Sequence, residues 1–377
     1  MKCAKYLLAA SAAASAVGLL WKTKEVSEGV RAGLGSCAAV IIPSLFPFMI
    51  LAGLIAATQA GAVLSRAVSG FTRRVIGMPE NLGAVLLMSF VGGFPVGARM
   101  LSDMLARREI DRETAERALC CCVNAGPSFL ISAVGAGMLG SRAAGLALLG
   151  AQVLSSLAVG ALAFRGARAG SPPARAPERS RDAFVNAVRS AASGILSICA
   201  FVVAFSAVTA LLRAVGLTGA LAGALGKLFP ALGEPFFTAA LAGLLEVTGG
   251  CIAAASLGGR AGFLLCAFLV SFSSLSIIFQ VRSCFFDGCG VRFGRFYRSR
   301  LLHGGLTTLF AALFARWLPP AVLAASASLS SPPPSRAPIP TPSCPLSACS
   351  ACARSSPFPN GVEMFIFTSR NFPSVPV

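Results

Sequence analysis

Long apolar runs alternate along the chain with short charged clusters. The runs fall near residues 1–21, 33–57, 82–101, 118–139, 143–164, 183–212, 236–257, 262–281 and 301–318. Most approach the ~20 residues that a helix needs to cross a bilayer. The pattern predicts an all-α, polytopic membrane helix bundle with about eight to ten hydrophobic segments. Lys2 and Lys5 precede the first run while Lys22 and Lys24 close it, as in a first span or signal anchor over 1–32. A basic, Pro-containing linker at 165–182 separates a first transmembrane repeat (33–164) from a second (183–319). Residues 320–377 turn to Pro, Ser and Cys, a composition expected to stay disordered.

Several of the runs are interrupted. Pro43 and Pro47 predict a kinked helix, because each removes a backbone donor and crowds the preceding carbonyl. Gly92-Gly93-Phe94-Pro95 breaks the third run and Asn124-Ala125-Gly126-Pro127 the fourth. After the linker, Glu246-Val247-Thr248-Gly249 and Ser271-Phe272-Ser273-Ser274 break two more, whereas 143–164 is continuous. Gly216 to Glu234 is Gly-rich and weakly hydrophobic, suited to lying along the interface. Residues 105–116 carry dense mixed charge and read as a solvated helical connection. Free backbone groups inside lipid are costly and persist only where protein or a water-filled cavity covers them. Two breaks in each half suggest two inverted repeats with broken or re-entrant helices, whose half-helix ends converge on a solute.

Composition sharpens this picture. Of 377 residues, 55% are hydrophobic and only 12% charged, with a mean hydropathy of +0.77; a soluble domain carries about 25% charged residues. The net charge of +18 is not arranged as a nucleic-acid-binding stripe with interleaved aromatics. The arginines flank apolar runs, as the positive-inside rule requires, so no nucleic-acid partner is expected. The basic stretches Arg165–Arg189 and Arg282–Arg300 both prefer the cytoplasmic side, which three simple spans between them would forbid. One re-entrant hairpin restores agreement. Expected partners are the lipid bilayer, a small polar solute, and a second copy or another membrane protein.

Candidate chemistry is sparse. Glu246 is the one carboxylate well inside an apolar run, a position costing about 2.5–3.5 kcal/mol on insertion scales. It is expected at a substrate or coupling site, against a structural ion pair with an arginine such as Arg99. Asn124, Thr248, Ser271, Ser273 and Gln280 supply neutral hydrogen bonds to a polar solute, or between helices. The breaks add Gly93, Phe94, Pro95, Gly126, Pro127 and Gly249 to the candidate substrate-binding set. Arg99 is a weaker anion-binding candidate, more readily a positive-inside anchor. Thirteen cysteines and one histidine, His303, suggest no metal site: Cys120, Cys121 and Cys122 point about 100° apart on a helix, and Cys349-x-x-Cys352 in the tail is a lone CxxC with no second pair. No metal, cofactor or enzymatic centre is expected: there is no Ser-His-Asp set and no phosphate-cradling loop.

The motifs together resemble a known family. Pro43-Ser44-Leu45-Phe46-Pro47-Phe48, Gly93-Phe94-Pro95-Val96-Gly97-Ala98-Arg99, Ala115-Glu116-Arg117 and Asn124-Ala125-Gly126-Pro127 resemble the YlbJ-like sporulation integral membrane proteins, within the nucleoside-recognition or "Gate" domain group. Gly243-Leu244-Leu245-Glu246-Val247-Thr248-Gly249 and Ser271-Phe272-Ser273-Ser274-Leu275-Ser276 with Gln280-Val281 are similar to its later motifs. The likeness spans roughly residues 30 to 315. It departs at Val123, where the family tends to have asparagine, at Ser273 and Ser274 (glycines) and at Ile278 (histidine). The resemblance implies a multi-pass transporter of endospore formation that moves dipicolinic acid towards the forespore, across the outer forespore membrane. A nucleoside carrier and a non-transporting scaffold of the spore envelope are the alternatives.

Overall fold

The computed structural model describes residues 16–166, 182–286 and 288–318. Most of the linker and the whole 320–377 tail lie outside the described residues. Among the described residues every regular element is helical, as the apolar periodicity predicts. The all-α bundle is therefore borne out.

The first helix, α1 (Thr23–Ser36), passes through a π-helical turn at Cys37–Ile41 into α2 (Ile42–Ala57). The wide turn sits where Pro43 would otherwise clash with the carbonyl four residues back. Ser44 Oγ donates to the Val40 carbonyl at 2.6 Å, serving part of the disturbed ladder. The proline pair thus produces a widened turn, with Pro47 carried inside α2. Thr23–Ile55 is long and apolar enough to be one span, so the helix runs through residue 33 without a break.

Next, α3 (Ala60–Val75) and α4 (Gly83–Gly92) are joined across a 3₁₀ turn, Glu80–Leu82, at a bend of 114°. Gly93 separates α4 from α5 (Phe94–Ala106). A short helix α6 (Arg112–Leu119) leads into a non-helical stretch at 120–126, then a π-helix at Ser128–Met138 and the unbroken α7 (Arg142–Phe164). After the linker come α8 (Ala183–Ala214), α9 (Leu217–Leu228), α10 (Gly233–Leu245) and α11 (Val247–Ser256). The last three are α12 (Gly259–Phe272), α13 (Leu275–Ser283) and α14 (Gly294–Phe314).

Among the described residues, four helices, or five if the bent α3–α4 pair is one span, have full membrane-crossing length and hydropathy. Four shorter apolar helices, Ser128–Met138, α9, α10 and α11, accompany them, in keeping with the eight to ten hydrophobic segments expected. They differ from full spans in length: α10 and α11, with 13 and 10 residues, reach only about 20 and 15 Å against a hydrocarbon core of ~30 Å. Bending at the breaks turns one apolar run into two half-length helices.

The outward faces of the long helices are apolar, while part of the buried interior is polar. On α7, Gln152, Ser155 and Ser156 are fully buried, while Leu146, Leu154 and Leu162 are exposed. Leu196 and Val208 are likewise exposed on α8. Leucines outward and hydroxyls inward is the arrangement lipid selects. The long helix α8 packs along α1 and α2, and α14 lies between α7 and α12, so elements from both sides of the linker share one core.

The charged connection differs from the solvated helix expected over 105–116. Asp111 caps α6 through Thr114 N at 2.7 Å, yet Glu116 is buried. Glu116 Oε1 accepts from the Arg292 amide at 2.9 Å and lies 3.6 Å from its guanidinium. Arg295 is 3.4 Å from Glu113, and Arg117 donates to both Glu113 and the Ala163 carbonyl. The end of α7 and the start of α14 thus meet on α6.

Candidate functional site

Each of the four sequence breaks is a real interruption of helix. Gly93 has φ +85°, a left-handed value that a side chain disfavours. It also packs on the second break: a Cβ at Gly93 would lie 3.4 Å from Gly126 N. The two first-half breaks therefore touch through backbone. In the second half, Ser274 Oγ donates to the Gly243 carbonyl, which ties the α12–α13 break to the end of α10. A Cβ on Gly250 would come within 2.0 Å of Gly243 Cα, so α11 folds tightly back on α10.

How the freed backbone is satisfied differs between the breaks. At 120–126, Gln152 accepts from Ala125 N (3.1 Å) and donates to Ala125 O (2.9 Å), pairing both groups as a neighbouring strand would. Ser156 Oγ and Asn124 Nδ2 both donate to Cys121 O at 2.7 Å, and Asn124 Nδ2 also reaches Ser89 Oγ at 3.0 Å. Arg300, fully buried on α14, donates to Val123 O at 2.9 Å and to Cys120 O. Its guanidinium also sits 4.9 Å from the Phe296 ring centre. Arg300 therefore departs from its expected place as a flanking anchor: it supplies donors to the broken backbone. His303, three residues on, is equally buried beside Gln152.

At the third break, Glu246 caps its own helix. Its carboxylate accepts from Thr248 N (2.9 Å) and Gly249 N (2.7 Å) at the start of α11. The ion pair with Arg99 is not formed; Arg99 donates to Ser190 Oγ at 3.1 Å. At the fourth break, Ser273 and Ser274 have φ of 68° and 31°. These are glycine-like values, and the family that the motifs resemble tends to carry glycines there. The backbone keeps a glycine shape with serines in it. The hydroxyls of Ser271 and Ser276 are buried and lack a partner.

Three of the four breaks line a cavity of about 50 Å³, through Gly93, Gly126 and Glu246–Thr248, and the first turn of α13, just past the fourth break, joins them through Ser276. Of the candidate residues, Gly93, Phe94, Pro95, Gly126, Glu246, Thr248 and Gln280 line it. Asn124, Pro127, Gly249, Ser271 and Ser273 stand behind the wall; Asn124 serves the stitching of 120–126 instead. Sequence reasoning missed Ser44, Phe129, Ile198 and Ser276 in the lining. Ser276 lay inside a quoted motif, and its place in the first turn of α13 was the available signal. Phe94 and Phe129 meet edge-on at 6.5 Å, giving the cavity an aromatic side.

A second, polar cavity of about 230 Å³ adjoins the first, sharing Pro95, Ile198 and Gln280 with it. Arg99, Asp103, Ser193, Ser197 and Ser283 line it. Arg99 thus stands in an antechamber to the central cavity, with a guanidinium that has no carboxylate within 4 Å among the described residues. Three helix starts, those of α5, α11 and α13, face the central cavity through Phe94, Val247 and Ser276. The N-terminus of each helix carries partial positive charge, and at α11 the Glu246 carboxylate already accepts from two of the amides. No group of His, Cys, Asp and Glu fit to hold a metal occurs among the described residues.

Full-length apolar helices, lipid-facing leucines and buried polar stitching define a multi-pass α-helical integral membrane protein built on broken helices. Comparison narrows the class. The chain is similar to the sporulation integral membrane protein YlbJ of Bacillus subtilis (strain 168), with 27% identity over 321 residues, 78% of each sequence. No family model matches the chain. No solved structure matches it either.

Proposed function

We propose that this protein is a secondary transporter of endospore formation that carries a small anionic solute through the cavity between its four broken helices. The observation that carries the reading is the meeting of three breaks and the start of α13 on one cavity. Discontinuous helices meeting at a membrane-depth site are the arrangement transporters use to present half-helix ends to ions and substrate. Helix starts favour a negative group by about 0.3–1 kcal/mol each. Phe94 and Phe129 suit a flat ring, and Arg99 in the adjoining cavity suits capture of a carboxylate before the narrow part is reached. The sporulation role comes from the name of the relative, and dipicolinate, an aromatic dicarboxylate, from the motif resemblance. The central cavity is smaller than the ~150 Å³ known to admit a benzene ring, so loading requires the helices to part.

The test is the dipicolinate content of spores from a deletion strain complemented with wild-type, Gln280→Ala or Ser276→Ala protein. Spores short of dipicolinate with either variant, at normal protein level and placement, support the site. Normal content with both variants removes it, and normal content in the deletion strain itself removes dipicolinate as the solute. If content falls only where the protein is lost, a scaffold of the spore envelope is the better reading.

A further inference from the structure

We propose that Glu246 carries a proton with the solute, so that anion and proton cross the site together in the same direction. The inference deepens the transport reading and rests on it.

The case starts from where Glu246 stands. It is buried to 6% exposure, lines the cavity, and is the only ionisable residue in that lining. The titratable groups that face it are the thiols of Cys37, on the π-turn, and Cys251, on α11. The segments of α2, α5, α8, α13 and the π-helix that line the cavity contribute no charged side chain. No cation lies within 4 Å of its carboxylate among the described residues. The nearest guanidinium named by the site, Arg99, belongs to the adjoining cavity and is bonded to Ser190.

Next comes what the carboxylate already does. By accepting from Thr248 N and Gly249 N it occupies the start of α11, one of the three anion-favouring positions. The start of α13 has no such occupant: Ser274 makes no capping bond, and the Ser276 hydroxyl is buried, lines the cavity and has no partner. One position therefore holds the protein's own anion while another stays free for the solute. A solute anion at the free position would share a small, poorly screened space with Glu246. Two like charges there oppose each other's binding, and a proton on Glu246 removes the opposition.

Linkage then fixes the coupling. If protonation of Glu246 strengthens anion binding, anion binding strengthens protonation by the same factor. The proton joins a Glu246 carboxylate oxygen on the side where solute is taken up. It leaves that oxygen on the far side as the solute departs, and the carboxylate resumes both amide bonds. A neutral carboxyl keeps one carbonyl oxygen to accept from α11, so the break stays capped throughout.

The experiment uses the purified full chain in proteoliposomes, with labelled dipicolinate as probe and membrane potential clamped. Wild-type protein should accumulate label on the alkaline side of an imposed pH gradient. One-to-one coupling sustains up to about a tenfold concentration ratio per pH unit. Glu246→Gln should still exchange labelled for unlabelled solute, but lose the response to the gradient. Wild-type exchange that ignores the gradient, or a Glu246→Gln variant that still follows it, would overturn proton coupling while leaving transport standing. Absence of any exchange by wild-type protein overturns the transport reading and this one with it. If Glu246→Gln fails to exchange, a pH dye outside wild-type vesicles decides: alkalinisation on adding dipicolinate supports co-transport, and a flat trace refutes it.

Discussion

Before the linker and after it, the chain interrupts its helices in comparable places but secures them by different means. The stretch at 120–126 is held from outside by Gln152 and Ser156 on α7 and Arg300 on α14. The breaks at Glu246 and Ser273–Ser274 are held from within: a carboxylate capping its own helix, a serine reaching the end of α10, and two serines in left-handed backbone. The first arrangement borrows rigidity from two long helices, and leaves Asn124 Oδ1, Arg300 Nε and His303 Nδ1 buried without a partner among the described residues. The second leaves the Ser271 and Ser276 hydroxyls so, and keeps the glycine-like φ values of 273 and 274. The contrast is between a wall tied to distant helices and a wall tied by its own residues.

The sharpest way to break this contrast is Arg300→Met. Removing donors from Cys120 O and Val123 O inside the membrane should cost about 3–5 kcal/mol, since each charged hydrogen bond contributes roughly 1.5–3 kcal/mol. Thermal unfolding of the detergent-solubilised protein would report it; an unchanged transition would mean that the stretch holds itself. Next is a matched pair, Gln152→Leu and Gln280→Leu. The first strips both groups of Ala125 and should lower stability by about 2–4 kcal/mol. The second removes an amide that makes no side-chain hydrogen bond among the described residues. It should leave stability within about 1 kcal/mol and act on solute uptake instead. Equal stability losses would erase the distinction between the walls.

A smaller effect tests the strained side. Ser273→Gly, at φ 68°, should stabilise the protein by about 0.5–1 kcal/mol, because a left-handed serine costs roughly 1–2 kcal/mol and glycine's looser unfolded chain offsets part of that. Destabilisation would show that the backbone conformation at 273 is not strained. The smallest effect lies outside the spans, at Glu113. Its carboxyl is held below the usual 4.5 first by Arg117 and then by Arg295. That contribution is present above the ordinary carboxylate pKa and fades as pH falls through the depressed value. With Glu113 exposed, acid should loosen the α6–α14 contact only slightly, and Glu113→Gln should flatten that acid response in hydrogen exchange of residues 292–295.

The breaks were legible because glycine, proline and clustered polar residues are rare in apolar runs and act locally on backbone geometry. Their stitching was harder to see. Gln152 sits in a run whose hydropathy marks an ordinary span, yet Gln152, Ser155 and Ser156 fall at i, i+3 and i+4 and mark one polar face. Arg300, His303 and Thr307 form a similar stripe on α14, hidden at the end of a cluster of arginines that reads as topological. Hydropathy marks the apolar runs but carries no information about a bend between them, so which runs cross whole was not legible. Neither did composition reveal that Glu246 would cap its own helix, since the outcome depends on a turn that its neighbours set.

The stitching by Arg300 also orders events during synthesis. The carbonyls of Cys120 and Val123 receive a donor that lies 180 and 177 residues further along the chain. At ~5–20 residues per second, that donor emerges roughly 10–35 s after the stretch it serves. Until then the nascent 120–126 segment has only the help of α7 and of Ser89 on α4. A ribosome stalled before residue 300 therefore leaves an open loop at membrane depth, a recognisable target for membrane quality-control proteases, and α14 acts as the seal that marks a finished chain.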